Sequence, residues 1–306
     1  MIYTVTINPS VDYLVELNDL SIGKTNRAVA QRTVPGGKGI NVSRVLKTFD
    51  TETKALGFIG GFTGEFIQDE LRKEKVTTDF IETVGQTRIN VKLQMDAETE
   101  INGQAPEITE KHITKLLEKL DSLKEGDILV LSGSVPSVLP SDIYKRMIAR
   151  VQEKKVVTFL DTSGAPLKEA IQASPFLIKP NQAELEDLYG EKITNLTDAI
   201  RLAKRAVEEG VQAVLVSLAG EGAVFVGKDF IYTANVPKGT VRNSVGAGDS
   251  MVASFIYYYL QTSSLREAFK YSVAGGSATA FSEGFCTLDK IEELVLEISV
   301  STREEG

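Results

Sequence analysis

The chain has 306 residues, of which 42% are hydrophobic and 25% charged, and a formal net charge of −8. These are the values of a globular protein large enough for one sizeable α/β domain or two smaller ones, and the acidic balance argues against a nucleic-acid partner. The single Cys (Cys286) and single His (His112) exclude an intrachain disulfide, speak against a Cys/His metal site, and exclude a Ser-His-Asp triad unless His112 serves it.

Residues 2–7 read as a strand, followed by the turn Asn8-Pro9-Ser10. No basic start leads into an apolar stretch, so no signal peptide is expected. No run approaches the ~20 apolar residues of a membrane span, so a soluble, cytoplasmic protein without membrane contact is expected. Residues 11–16 alternate apolar and polar, as a half-buried strand does. Gly23-Lys24-Thr25 is tempting as the end of a P-loop, but that motif needs a glycine at position 18, where Asn18 stands.

The next dense stretch is Val34-Pro35-Gly36-Gly37-Lys38-Gly39-Ile40-Asn41. Its glycines run into a helical pattern (Ile40, Val42, Val45, Leu46, Phe49) and could form a backbone nest beside a ligand. Tight loop–helix packing is the plainer alternative; Lys38 and Asn41 inside the cluster favour a ligand. Residues 54–59 read as a strand and 63–73 as a helix. Residues 88–95 alternate strictly, with Arg88 and Asn90 on one face. With 11–16 they suggest a small sheet apart from the main core.

From residue 109 the pattern is regular. Helices are expected at 109–121, 140–153, 165–173, 182–189 and 197–209, with strands at 127–131, 156–160, 176–178 and 213–216. Such an alternation means a parallel sheet covered on both faces, with ligands at the carboxyl ends of its strands. Segments 224–226 and 230–234 look antiparallel, and helices at 265–281 and 288–298 finish the chain. His112 falls in a polar helix start and is expected to be solvent-exposed; Cys286 is expected to be a small packing residue. The organisation expected is a single domain, 1–306, with a small β lid from about 11–34 and 84–102.

Ser244-Val245-Gly246-Ala247-Gly248-Asp249-Ser250 precedes an apolar helix. The first turn of a helix has free N–H groups and a positive dipole end, which suit phosphate. Asp249 would repel a resting phosphate. One reason for a carboxylate there is to take a proton from a hydroxyl that attacks phosphorus; an ordinary first-turn acid is the alternative.

Together, Gly-Gly-Lys-Gly-Ile-Asn-Val near residue 40 and Val-Gly-Ala-Gly-Asp-Ser near residue 247 resemble the ribokinase-like (PfkB) sugar kinases over essentially the whole chain. The opening Thr6-Ile7-Asn8-Pro9-Ser10-Val11-Asp12, with Asn26-Arg27 and Thr99-Glu100-Ile101-Asn102, resembles the branch acting on phosphorylated ketohexoses. Ser254 departs from the Gly or Ala usual in the family signature. The resemblance implies a ribokinase-like α/β fold, a mostly parallel sheet with helices on both faces plus a small β-sheet lid. It implies transfer of phosphate from ATP, with Mg²⁺, to fructose 1-phosphate. The alternatives are tagatose 6-phosphate as acceptor or a silent sugar-phosphate sensor on the same fold.

In that resemblance Asp249 is the base, and Gly246, Ala247 and Gly248 form the anion hole. Asp12, Gly37 and Asn41 hold the sugar. Lys38, Arg88 and Asn90 bind its phosphate, with Arg27 a weaker candidate. Lys179, Asn181, Ser217, Gly220, Gly222 and Ser277 serve the nucleotide, and Glu184 holds Mg²⁺ through water. Polar lid residues facing the site would leave Val11, Tyr13, Val15, Ile89, Val91, Leu93 and Met95 as an apolar outer face. A second copy of the chain is expected to cover it, giving a homodimer.

Overall fold

The computed structural model describes residues 1–95 and 98–303; residues 96–97, inside the expected segment 84–102, lie outside the described residues. In chain order the elements are β1 (Ile2–Thr6), β2 (Ser10–Glu16), β3 (Ala30–Gly36), α1 (Lys38–Thr48), β4 (Thr53–Ile59), α2 (Gly61–Lys73), β5 (Thr77–Thr78), β6 (Ile81–Glu82), β7 (Arg88–Gln94) and β8 (Thr99–Ile101). There follow α3 (Glu110–Leu120), β9 (Ile128–Ser132), α4 (Ile143–Gln152), β10 (Val157–Asp161), α5 (Gly164–Ala170), β11 (Leu177–Ile178), α6 (Gln182–Tyr189), α7 (Leu196–Glu208) and β12 (Ala213–Ser217). The chain closes with β13 (Ala223–Gly227), β14 (Phe230–Ala234), α8 (Ala247–Thr262), α9 (Leu265–Ala280), α10 (Leu288–Val295) and β15 (Val300–Thr302). Among the described residues, no helix is long and apolar enough to cross a membrane.

The main sheet runs β15-β14-β13-β12-β11-β10-β9-β1-β4-β5, with β6 also on β4. It is parallel from β5 to β12 and antiparallel from β12 to β15. Its strands are continuous apolar runs because both faces are covered. In β9, Leu129 and Leu131 join the core beneath α3 to α7, while Ile128 and Val130 join the core with α1, α8, α9 and α10. Strand β1 lies between β4 and β9, so the chain leaves it first to one side and later to the other. That reversal opens a crevice at the carboxyl ends of β1, β9, β10 and β11.

The second sheet has four strands in the order β3-β2-β7-β8. Register sets Asp12 beside Asn90 and Leu14 beside Lys92 on one face. The other face carries Ile89 at 41% and Ile101 at 59% exposure, with Tyr13, Val15, Val91 and Leu93 half-buried. Val11 departs from the expectation of an outward position. It is buried against Ile40, Ile67 and Leu71, because the base of β2 rests on α1 and α2.

Two further details differ from the sequence reading. Strands β3, β5, β6, β8 and β15 were not individually evident; β5, β6, β8 and β15 are only two or three residues long and too short to show alternation. His112 is half-buried rather than exposed, since its Nδ1 accepts the backbone N–H of Thr109 at 3.1 Å and closes the first turn of α3. Cys286 is buried, as expected of a packing residue.

Gly57 shows how tightly the central strands approach. Its φ is +149°, and a Cβ there would run into the carbonyl oxygen of Thr6 on β1. Gly57→Ala is therefore expected to destabilise the protein by about 3 kcal/mol, combining backbone strain with overpacking. Urea denaturation measures it; an unchanged midpoint would show that β1 and β4 can separate freely.

Candidate active site

The crevice is built from chain ends brought together by the parallel sheet. Helix α8 begins at Gly246, whose φ of +80° few side chains tolerate. A Cβ there would also strike the ring of Phe285, on which the turn rests. The first-turn N–H groups of α8 have no partner within the helix, though that of Ala247 donates to Ser244 O at 3.2 Å. Asp249 sits in that turn, 5% exposed, because α8 is apolar on every side and packs against both α1 and α9. From α1, Asn41 donates its Nδ2 hydrogen to Asp249 Oδ2 at 2.8 Å.

Behind it lies a buried charge cluster. Asp161, at the end of β10, is 1% exposed at its side chain; its Oδ1 takes Lys38 Nζ at 2.9 Å and its Oδ2 faces Lys179 Nζ at 3.4 Å. Lys38 also faces Glu184 at 3.5 Å. A methyl placed on Gly248 would lie 3.1 Å from Lys179 Nζ, so that ammonium abuts the expected anion hole.

The electrostatics follow from this packing. Burial alone would raise the Asp161 carboxyl, but Lys179 and Lys38 outweigh it and hold Asp161 below the usual carboxylate range. Lys38 is held well above the ordinary lysine value, chiefly by Asp161. Asp249 moves the other way, up to about 6, first through burial and then through repulsion by Asp161; the Asn41 hydrogen bond and the two lysines oppose the rise. The result is one carboxylate fixed as an anion beside one poised near neutrality.

A cavity of about 600 Å³ opens beside the start of α8. Asn181, Ser217, Gly220, Gly222, Ala247, Gly248 and Ser277, all singled out from sequence, line it. Its apolar wall was missed: Val236, Val241, Met251, Val273 and Phe281 also line it. No sequence signal separates these from ordinary core positions. Asn181 and Glu184 have a local task as well. Asn181 Oδ1 accepts Glu184 N–H at 2.8 Å and Glu184 Oε2 accepts Asn181 N–H at 2.9 Å, a reciprocal cap that starts α6.

On the other side stands the inner face of the small sheet. Asp12 Oδ1 accepts from Ser10 Oγ at 2.6 Å and Asn90 Nδ2 at 3.1 Å. Arg88 donates through Nη2 to Asn8 O at 3.1 Å, while its buried Nε has no hydrogen-bond partner among the described residues. Burial lowers the Arg88 guanidinium, against the pull of Asp12 and Glu100. Lys38 and Arg88, expected to share one phosphate, have separate partners: Lys38 turns to Asp161 and Glu184. Gly37 caps the start of α1 at φ +124°, and Arg27 is exposed in the β2–β3 connection.

Phe285 and Cys286 support the α8 turn. Arg44 stacks over Phe285 at 4.9 Å, and the Cys286 N–H donates to Thr279 Oγ1 at 2.9 Å, which in turn meets Ser250 at 2.7 Å. Ser254 fits at the α8–α9 contact because Gly275 opposite has no side chain.

The chain is similar to known proteins over nearly its whole length. The model of the pfkB family of carbohydrate kinases matches residues 6–291. The chain is 48% identical over 301 residues to the 1-phosphofructokinase of Bacillus subtilis, covering 98% of this chain and 99% of that one. It is 35% identical over 302 residues to a D-tagatose-1-phosphate kinase of Bacillus licheniformis, with 98% and 99% covered. The solved structure of phosphofructokinase-2 from Escherichia coli superposes with a TM-score of 0.91 at 29% identity, covering 96% of this chain and 98% of that one. With a family model spanning residues 6–291 and a relative 48% identical over 98% of this chain, the chain belongs to the pfkB family of carbohydrate kinases.

Proposed function

We propose that the chain transfers the γ-phosphate of ATP to a ketohexose phosphate, fructose 1-phosphate giving fructose 1,6-bisphosphate, with Asp249 as general base. The observation that carries the reading is a buried carboxylate, raised to about 6, in the first turn of α8, bonded to Asn41 and next to Ala247 and Gly248, which line the 600 Å³ cavity. Asn41 occupies Oδ2 and leaves Oδ1 to accept the proton of the attacking hydroxyl. The N–H groups of Gly246, Ala247 and Gly248 then receive the charge that grows on the transferring phosphoryl group. A silent sensor would have no use for a base in that position. The B. licheniformis relative keeps the epimeric ketose in view, and tagatose 6-phosphate remains the alternative acceptor.

The ATP phosphates reach the α8 turn from the Asn181–Ser217 side, and the adenine lies along Ser277 and the apolar wall. Magnesium, when bound with the nucleotide, would supply charge neutralisation, and Glu184 would hold it through water. Among the described residues no group of three His, Cys, Asp or Glu is gathered for a metal. Asp12, Gly37 and Asn41 hold the sugar, and Arg88, with Asn90 beside it, receives the phosphate already present. The enzyme works in the cytoplasm, where its nucleotide is abundant.

The small sheet, as the lid over this site, presents an outer face too apolar to leave bare. We infer that a second copy covers it in a two-fold homodimer.

A panel of fructose 1-phosphate, fructose 6-phosphate and tagatose 6-phosphate tests the assignment, with fructose 1-phosphate expected to turn over fastest. Activity should fall as pH drops through about 6, because the base is then protonated and cannot take the hydroxyl proton. Asp249→Asn should bind ATP but lose about 10²–10⁴ in kcat; near-normal turnover would refute the assignment.

Arg88→Ala should weaken sugar-phosphate binding by about 1.5–3 kcal/mol, the worth of a charged hydrogen bond, and leave ATP binding nearly unchanged. Calorimetry with each ligand separates this from a folding defect, which would weaken both.

Val91→Glu should dissociate the dimer, since an unpaired charge in an apolar contact is costly. It should also raise the sugar-phosphate KM through the shared strand. Light scattering of the parent protein at micromolar concentration decides the premise, and a monomeric, fully active parent would defeat it.

A further inference from the structure

Lys92 lies in the middle of β7, on the face it shares with Arg88 and Asn90, and none of the roles above uses it. Its side chain is 9% exposed. A buried ammonium is costly unless it is paired, and this one has two carboxylates: Glu100 Oε1 on β8 at 3.1 Å and Asp12 Oδ2 on β2 at 3.6 Å. Strand β7 runs between β2 and β8, with Lys92 directly opposite Glu100 and one step along the same face from Asp12. Lys92 is thus the link across the three strands. The carboxylates outweigh its burial and keep it charged.

Asp12 is held from every side. Ser10 and Asn90 fix Oδ1, and Lys92 faces Oδ2. On β3, Gly36 leaves the space the carboxylate needs: a Cβ there would lie 2.5 Å from Oδ1. Without Lys92, the Asp12 carboxylate would lose the cation that faces its Oδ2 in a largely buried setting. It would then be free to turn toward water, and a sugar hydroxyl would lose its acceptor.

We propose that Lys92 is the positioning residue for Asp12 in sugar binding, and that Glu100 anchors Lys92 from the edge strand. The inference rests on the reading of Asp12 as a sugar contact. It predicts a defect confined to the sugar phosphate, one that follows the charge of residue 92 rather than its bulk.

The test is steady-state kinetics with the acceptor turned over fastest in the panel above, on Asp12→Asn, Lys92→Met, Lys92→Arg and the Asp12→Asn/Lys92→Met double variant. Lys92→Met should raise the sugar-phosphate KM about tenfold, within the usual coupling between neighbouring charged groups, with the ATP KM unchanged and kcat much less affected. Lys92→Arg should stay within about threefold of the parent, since it restores the charge. The double variant should be no worse than Asp12→Asn alone, because Lys92 acts through Asp12.

The proposal is overturned if Lys92→Met leaves the KM unchanged, if Met serves as well as Arg, or if the two single effects multiply in the double variant. Should the Met variant fail to fold, Lys92→Gln takes its place in the comparison with Arg. An Asp12→Asn variant with parental KM would instead refute the sugar contact itself.

Discussion

The site depends on one buried electrostatic cluster, Asp161 held between Lys38 and Lys179. Each ion removed from water costs several kcal/mol, and removing one partner would strand the others. The cluster therefore ties the start of α1, the end of β10 and the end of β11 into one arrangement. It also sets the state of Asp249. The fixed negative charge of Asp161 adds to burial in lifting Asp249, and the lysines limit the rise. A carboxylate poised near neutrality is the outcome of that balance, not of Asp249 alone.

The small sheet divides its labour by face. Period-two alternation in β7 puts Arg88, Asn90 and Lys92 inward and Ile89, Val91 and Leu93 outward. A slip of one residue would exchange the faces. The register is fixed from outside the sheet as well, since Val11 is buried with Ile40, Ile67 and Leu71 of the parent domain. The same register leaves the outer apolar face only partly covered inside the chain, with Ile89 and Ile101 exposed.

Several motif residues have structural work. Asn181 and Glu184 close a capping box, so the Asn-x-x-Glu spacing would mark a helix start even without a nucleotide. Glu184 still turns its second oxygen toward Lys38. A local cap can thus orient a carboxylate whose remaining oxygen faces the charge cluster.

The alternation of apolar runs and amphipathic helices determined the α/β class, the parallel sheet and nearly every helix, because those patterns are local and periodic. The glycine clusters around residues 37 and 247 marked the ends of α1 and α8, since only an unusual backbone needs such residues there. What only the tertiary structure decided was pairing at a distance. That Lys38 turns to Asp161, that Asn41 reaches Asp249, that Lys92 joins Asp12 to Glu100 and that Val11 turns inward all depend on which strands lie side by side. The apolar wall of the cavity was equally hidden, because Met251 or Val273 facing a cavity is the same residue, at the same helical spacing, as one facing the core.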